Sequence, residues 1–88
     1  AQADIQQALR DALDDFGRTI TDEREKTIWD ERVLSEDPKS LQDLGDEFGV
    51  SRERIRQIEA KLKKRVASFL RKRFGDQEIE LAIADWNS

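Results

Sequence analysis

The apolar and glycine positions between Leu41 and Ile58 constrain the fold of this chain more tightly than anything else in it. Counted from Leu41, apolar residues stand at the first and fourth positions (Leu41, Leu44) and small Gly45 at the fifth. Phe48 and Gly49 follow at the eighth and ninth, and Val50, Ile55 and Ile58 at the tenth, fifteenth and eighteenth. Each choice has a physical cause. Leu41, Leu44 and Phe48 give a short helix a buried face, and Ser40 with Asp43 fits a capping-box start, with Asp in place of the usual Glu. Gly45 lets a second helix approach closely, and Gly49 permits the positive φ of the turn between the two. The full pattern is that of a helix-turn-helix. Its bland alternative, two packed helices with solvated charged faces, does not require these spacings together.

The second helix of the pair is the longer. Ser51 suits its N-cap, and Gly75 its end, which predicts a helix over residues 51–74. Ile55, Ile58, Leu62, Val66 and Phe69 recur at spacings of three and four and make one apolar stripe. At about 100° per residue, Glu53, Gln57, Ala60 and Lys64 point away from that stripe. Arg52 and Arg56 lie on one shoulder, Arg54 and Lys61 on the other. Such a helix is held down on one side and shows, on the other, groups able to bond base edges, flanked by cations able to reach phosphates. That is the design of a DNA recognition helix.

Net charge alone argues against a nucleic-acid partner, since 16 Lys and Arg face 20 Asp and Glu. The charge is strongly segregated, however. Residues 1–50 hold six basic and fourteen acidic side chains, residues 51–75 ten and two, and residues 76–88 none and four. Local field governs approach to a polyanion, so the basic block is the expected binding face.

Elsewhere the chain reads as further helices. Ile5, Ala8, Leu9, Ala12, Leu13 and Phe16 predict an amphipathic helix over residues 4–16, capped by Asp4 and ended by Gly17. Its Asp11, Asp14 and Asp15 read as a solvated acidic face. Thr21 or Asp22 opens a second helix of about a dozen residues with Ile28, Trp29, Val33 and Leu34 as apolar members, though its periodicity is weaker. Trp29 reads as a core or rim aromatic, and Ser35 to Lys39, with Pro38, as a loop. Arg71 to Arg73 read as a solvated basic helix end, with distal phosphate contact as the functional option. Residues 76–88 read as an acidic tail in which Ile79, Ala82, Ile83 and Trp86 have helical spacing, a short amphipathic helix that folds back on the domain or docks on a partner. The expectation is an all-α domain of four or five helices over residues 1–75, with the helix-turn-helix at about 40–74, followed by the tail.

Composition narrows the function. Hydrophobic residues make up 36% of the chain and charged residues 41%, with one Pro and four Gly, which suits surface helices around a thin core. With no Cys, disulfides and thiolate metal sites are impossible, in keeping with a reducing cytoplasm. There is no His, Cys or Tyr, no Gly-rich phosphate loop and no metal-ligand cluster, so no enzyme and no cofactor is expected. No apolar run is long enough to span a membrane and no signal peptide is visible. A start at Ala1 rather than Met suggests an excised fragment.

The stretch VSRERIRQIEAKLKKR closely resembles region 4 of bacterial sigma factors of the housekeeping and heat-shock groups. The upstream TDEREKTIWDERVL and SEDPKSLQDLGDEFG look more like the heat-shock type, and the resemblance covers roughly residues 20 to 73. It implies a four-helix DNA-binding domain that docks its recognition helix in the major groove of the promoter −35 element and directs RNA polymerase there. By position, Arg52, Glu53 and Gln57 match the family's base-reading residues. Their chemistry agrees: Arg suits guanine O6/N7, Glu accepts from cytosine N4, and Gln pairs with adenine N6/N7. Ser51, Arg54, Arg56, Lys61 and Lys64 would hold phosphates. The family also binds the flap of the polymerase β subunit through an apolar groove, for which Ile28, Val33, Leu34 and Phe48 are candidates, a core role being the plainer reading of most. The resemblance further implies anti-sigma factors or activators as partners and a monomeric domain. The competing readings are a dimeric helix-turn-helix regulator on a palindrome and a protein-interaction module whose basic helix pairs with acidic surfaces.

Overall fold

The computed structural model describes the backbone of residues 2–75 and the side chains of residues 6–75. The expected tail helix lies outside the described residues. The described elements are helical: α1 (Gln2–Thr19), α2 (Glu23–Ile28), a π-helical segment (Trp29–Val33), α3 (Leu41–Phe48) and α4 (Arg52–Phe74). By their contacts they fall into two units, one of residues 20–63 and one formed by the segments up to residue 19 and from residue 64.

The unit of residues 20–63 holds the helix-turn-helix. Asp22 caps α2, its carboxylate accepting from the Glu25 amide at 3.0 Å, with Glu23 and Glu25 favourably placed in the first turn. The helix then widens. Leu34 N–H donates to the Trp29 carbonyl at 2.9 Å, a bond across five residues that defines the π geometry. This extra width explains the weak α-periodicity of Ile28, Trp29, Val33 and Leu34: one inserted residue rotates everything after it by about 100°. Ile28 and Trp29 are fully buried, so Trp29 is a core residue.

Ser40 caps α3 by accepting from the Asp43 amide at 2.9 Å. Gly49 ends it in the left-handed region with φ of 70°, and Val50 N–H donates to the Gly45 carbonyl at 2.9 Å. At Gly45 a Cβ would stand 2.7 Å from the Val50 carbonyl oxygen and 3.3 Å from the Arg52 nitrogen, both backbone atoms. The tight approach expected of Gly45 is therefore real. Leu44, Ile55, Ile58 and Leu62 are buried with Ile20, Ile28 and Trp29 and form this unit's core.

In the other unit, Ala12 and Phe16 of α1 and Val66, Ala67 and Leu70 of α4 are buried. Phe16 meets Phe69 edge-on, ring centroids 5.6 Å apart. The Arg65 guanidinium lies 5.7 Å from the Phe16 centroid and that of Arg73 lies 6.0 Å from the Phe69 centroid. Two expectations are corrected here. Helix α1 does not stop at Gly17: it runs to Thr19, Gly17 is helical and buried, and Asp4 lies inside the helix rather than at its cap. The propensity cost of one helical Gly, about 1 kcal/mol, is smaller than what the surrounding packing supplies, and the Thr19 hydroxyl bonds the Phe16 carbonyl at 2.6 Å. Second, Asp15 and Arg73 are not merely solvated: Arg73 Nη1 stands 2.7 Å from Asp15 Oδ2, and Arg18 adds a contact at 2.8 Å.

Candidate nucleic-acid interface

Helix α4 begins as the sequence predicts, with Ser51 Oγ accepting from the Arg54 amide at 3.1 Å. Because Ile55, Ile58 and Leu62 are buried, the opposite face has no choice but to meet solvent. Arg52, Glu53 and Gln57 are all exposed, as are Ser51, Arg54, Arg56, Lys61 and Lys64. The eight residues expected to meet DNA thus occupy the outward sides of one helix and its cap.

Two of the eight are joined. Arg56 Nε donates to Glu53 Oε1 at 2.9 Å and Oε2 at 3.0 Å, and its Nη2 also reaches Oε2. Hydrogen bonding to Arg56 lowers the Glu53 pKa below its ordinary carboxylate value, and Glu53 in turn raises that of Arg56. An ionised carboxylate offers acceptor oxygens for a cytosine amine. Both side chains are more than half exposed, and an exposed pair of this kind adds little to stability, so the guanidinium remains able to exchange Glu53 for a phosphate.

The four apolar residues proposed for a protein groove separate. Ile28 is sealed in the core, Val33 and Phe48 are half-buried, and Leu34 is 40% exposed. Of the four, the last three are at least partly exposed.

One constellation was not anticipated. Glu59, on the edge of the α4 stripe, is buried, and Arg32 of the π-helical segment grips it with Nε to Oε1 at 2.7 Å and Nη2 to Oε2 at 3.3 Å. The same guanidinium donates from Nη1 to the Lys39 carbonyl at 2.9 Å. Lys63 adds a longer contact to Glu59 at 3.7 Å. Lys39, for its part, bonds Glu31 at 3.0 Å and lies 3.7 Å from Glu47, and its bond to Glu31 raises its pKa. The sequence signal that could have exposed this was Glu59 itself, a carboxylate beside an apolar stripe in an otherwise basic helix. Among the described residues no group of His, Cys, Asp and Glu side chains is set to hold a metal, and no helix is long and apolar enough to cross a membrane.

Comparison with known proteins covers the residues of this region. Residues 22–66 match the family described as Sigma-70, region 4. The chain is 42% identical over 62 residues to the RNA polymerase sigma factor RpoH of Zymomonas mobilis, covering 70% of this chain and 20% of that protein. It is 36% identical over 66 residues to RpoH of Rhizobium radiobacter, covering 75% and 22%. With the RNA polymerase sigma-B factor of Myxococcus xanthus it shares 40% identity over 63 residues, covering 72% and 26%. The chain thus spans about a quarter or less of the length of these relatives. No solved structure matches it.

Proposed function

The chain belongs to the sigma-70 region 4 family, and on that premise we propose that it reads the −35 element of promoters as one monomeric domain of a sigma factor, directing RNA polymerase to them. The observation that carries the reading is the exposed set Arg52, Glu53 and Gln57, backed by a buried stripe and flanked by Arg54, Arg56, Lys61 and Lys64. In the major groove Arg52 takes guanine O6/N7, Glu53 accepts from cytosine N4 and Gln57 pairs with adenine. Since G and C form one pair, Arg52 and Glu53 read opposite strands of neighbouring steps. The four flanking cations and Ser51 hold phosphates and set register without carrying sequence information. The function is recognition rather than catalysis, exercised in the cytoplasm beside the polymerase.

Leu34, Val33 and Phe48, each at least partly exposed, are the residues proposed to meet the polymerase β flap, while the fully buried Ile28 serves the core. The stretch over residues 21–49 resembles the heat-shock type, and similarity to relatives named RpoH favours that reading. Anti-sigma factors or activators are further partners of the same reading.

Methylation interference on a promoter fragment tests it. The reading expects guanine N7 methylation within the −35 element to block binding, and methylation elsewhere to have no effect. Interference spread evenly along the fragment would overturn it.

A further inference from the structure

Arg32 is not among the base-reading residues, yet the geometry points to it as a specificity-determining residue that acts by fixing the roll of α4 through Glu59. This rests on the reading of α4 as a recognition helix.

Three observations converge on it. First, the contact is a fork: two nitrogens of one planar guanidinium meet the two oxygens of one carboxylate, a geometry that fixes orientation as well as distance. The third nitrogen is tied to the Lys39 backbone, so Arg32 holds both α4 and the loop leading to α3. Second, both side chains are largely removed from water, with 22% exposure for Arg32 and 12% for Glu59. A buried ion pair is weak evidence for stability, because desolvation offsets most of its attraction, and its best-attested use is to specify register. Third, Arg32 reaches Glu59 from a π-helical segment. Such segments are rare, and without the inserted residue Arg32 would point about 100° away. The backbone adopts an uncommon form, and its consequence is this contact.

The apolar stripe alone cannot do the same work. Ile55, Ile58 and Leu62 hold α4 against the core, but aliphatic contacts are non-directional and tolerate small rotations. Side chains reach about 5–6 Å from a helix axis, so a roll of about 10° moves their ends about 1 Å. Good hydrogen bonds occupy a window of only about 0.5 Å. A slack helix would therefore keep its phosphate contacts, made by long flexible side chains, and lose bidentate contacts to bases.

The test uses the 88-residue chain and the sequence it enriches from a randomised duplex pool. The paired variant Arg32→Met/Glu59→Leu keeps apolar volume in place of the ion pair, and Arg32→Lys keeps the charge but cannot fork. Circular dichroism at the assay temperature establishes that each is folded. The variants are expected to bind non-specific DNA at low salt as wild type does, while discrimination against single base-pair changes falls by roughly fivefold or more, the value of one lost bidentate contact. Undiminished discrimination in either folded variant would overturn the inference while leaving the DNA reading intact. A wild-type chain that enriches no sequence would remove that reading and the inference with it.

Discussion

Glu53 is an acidic side chain in the most basic part of the chain, and the role proposed for it is discrimination between bases. A carboxylate repels phosphates and needs a donor when set against DNA; Arg56 supplies one within the helix, and a cytosine amine is the base-edge donor it can meet. Replacing it by Ala should leave total affinity nearly unchanged and relax selection at one base pair, measured by competition among duplexes altered at that pair. Lys61 makes the contrasting case. Its exposed ammonium suits a phosphate, so Lys61→Ala should weaken binding to all sequences alike and flatten the slope of log K against log salt by about one. Equal and sequence-independent losses from both variants would remove the role given to Glu53. Gly45 answers to packing instead. A Cβ there would stand 2.7 Å from a backbone carbonyl that cannot swing aside. Gly45→Ala should thus lower stability by about 1–3 kcal/mol, read as a shift of the denaturation midpoint at unchanged slope.

Among the elements, the pair α3 and α4 was legible because its determinants are local. Ser40, Gly49 and Ser51 act within four residues of themselves, and their caps and turn appear as their types require. Truncating Ser51 to Ala should cost about 1 kcal/mol of stability and, by fraying the first turn, weaken contacts from Arg52 and Glu53 before those from Lys64. Thermal melts and base-substituted duplexes check the two halves separately. The π-helical segment was illegible for a reason of the same kind. Its width is decided by what Trp29 and Arg32 meet in the fold, and Arg32 finds Glu59 across 27 residues of sequence. Gly17 was misread because propensity marks a helix end wherever a Gly follows an amphipathic run, while burial of Phe16 and Gly17 keeps the helix going. Of the interface, the outward residues could be read from the 3.6 period alone, but the Glu53–Arg56 pairing and the burial of Glu59 required coordinates.

At the scale of the molecule, segregation of charge matters more than its sum. Under the proposed reading, the basic block is the part that attracts DNA. If Arg54, Arg56, Lys61 and Lys64 each hold a phosphate, as proposed, the expected salt slope is roughly −3.6. The acidic face of α1 also takes part in folding. Asp15 has its pKa lowered chiefly by its bond to Arg73, with Arg18 assisting. A carboxylate with a depressed folded pKa contributes stability that is fully present above its ordinary value and is lost as pH falls through the folded one. Asp15→Asn should therefore flatten the acid limb of the stability curve below about pH 4, seen in denaturant titrations across that range. That ion pair spans 58 residues and left no trace in the sequence.

The central claim is that one copy of this chain reads one asymmetric site through α4. Its most direct test is the affinity of the chain for a short duplex bearing a −35 element and for a scrambled duplex, at two salt concentrations, with stoichiometry determined in the same titration. A preference of about tenfold or more is expected at one protein per duplex, with both affinities falling together as salt rises. Equal affinities at both salts would contradict it, and so would tight binding of two copies per duplex, which belongs to a dimeric regulator.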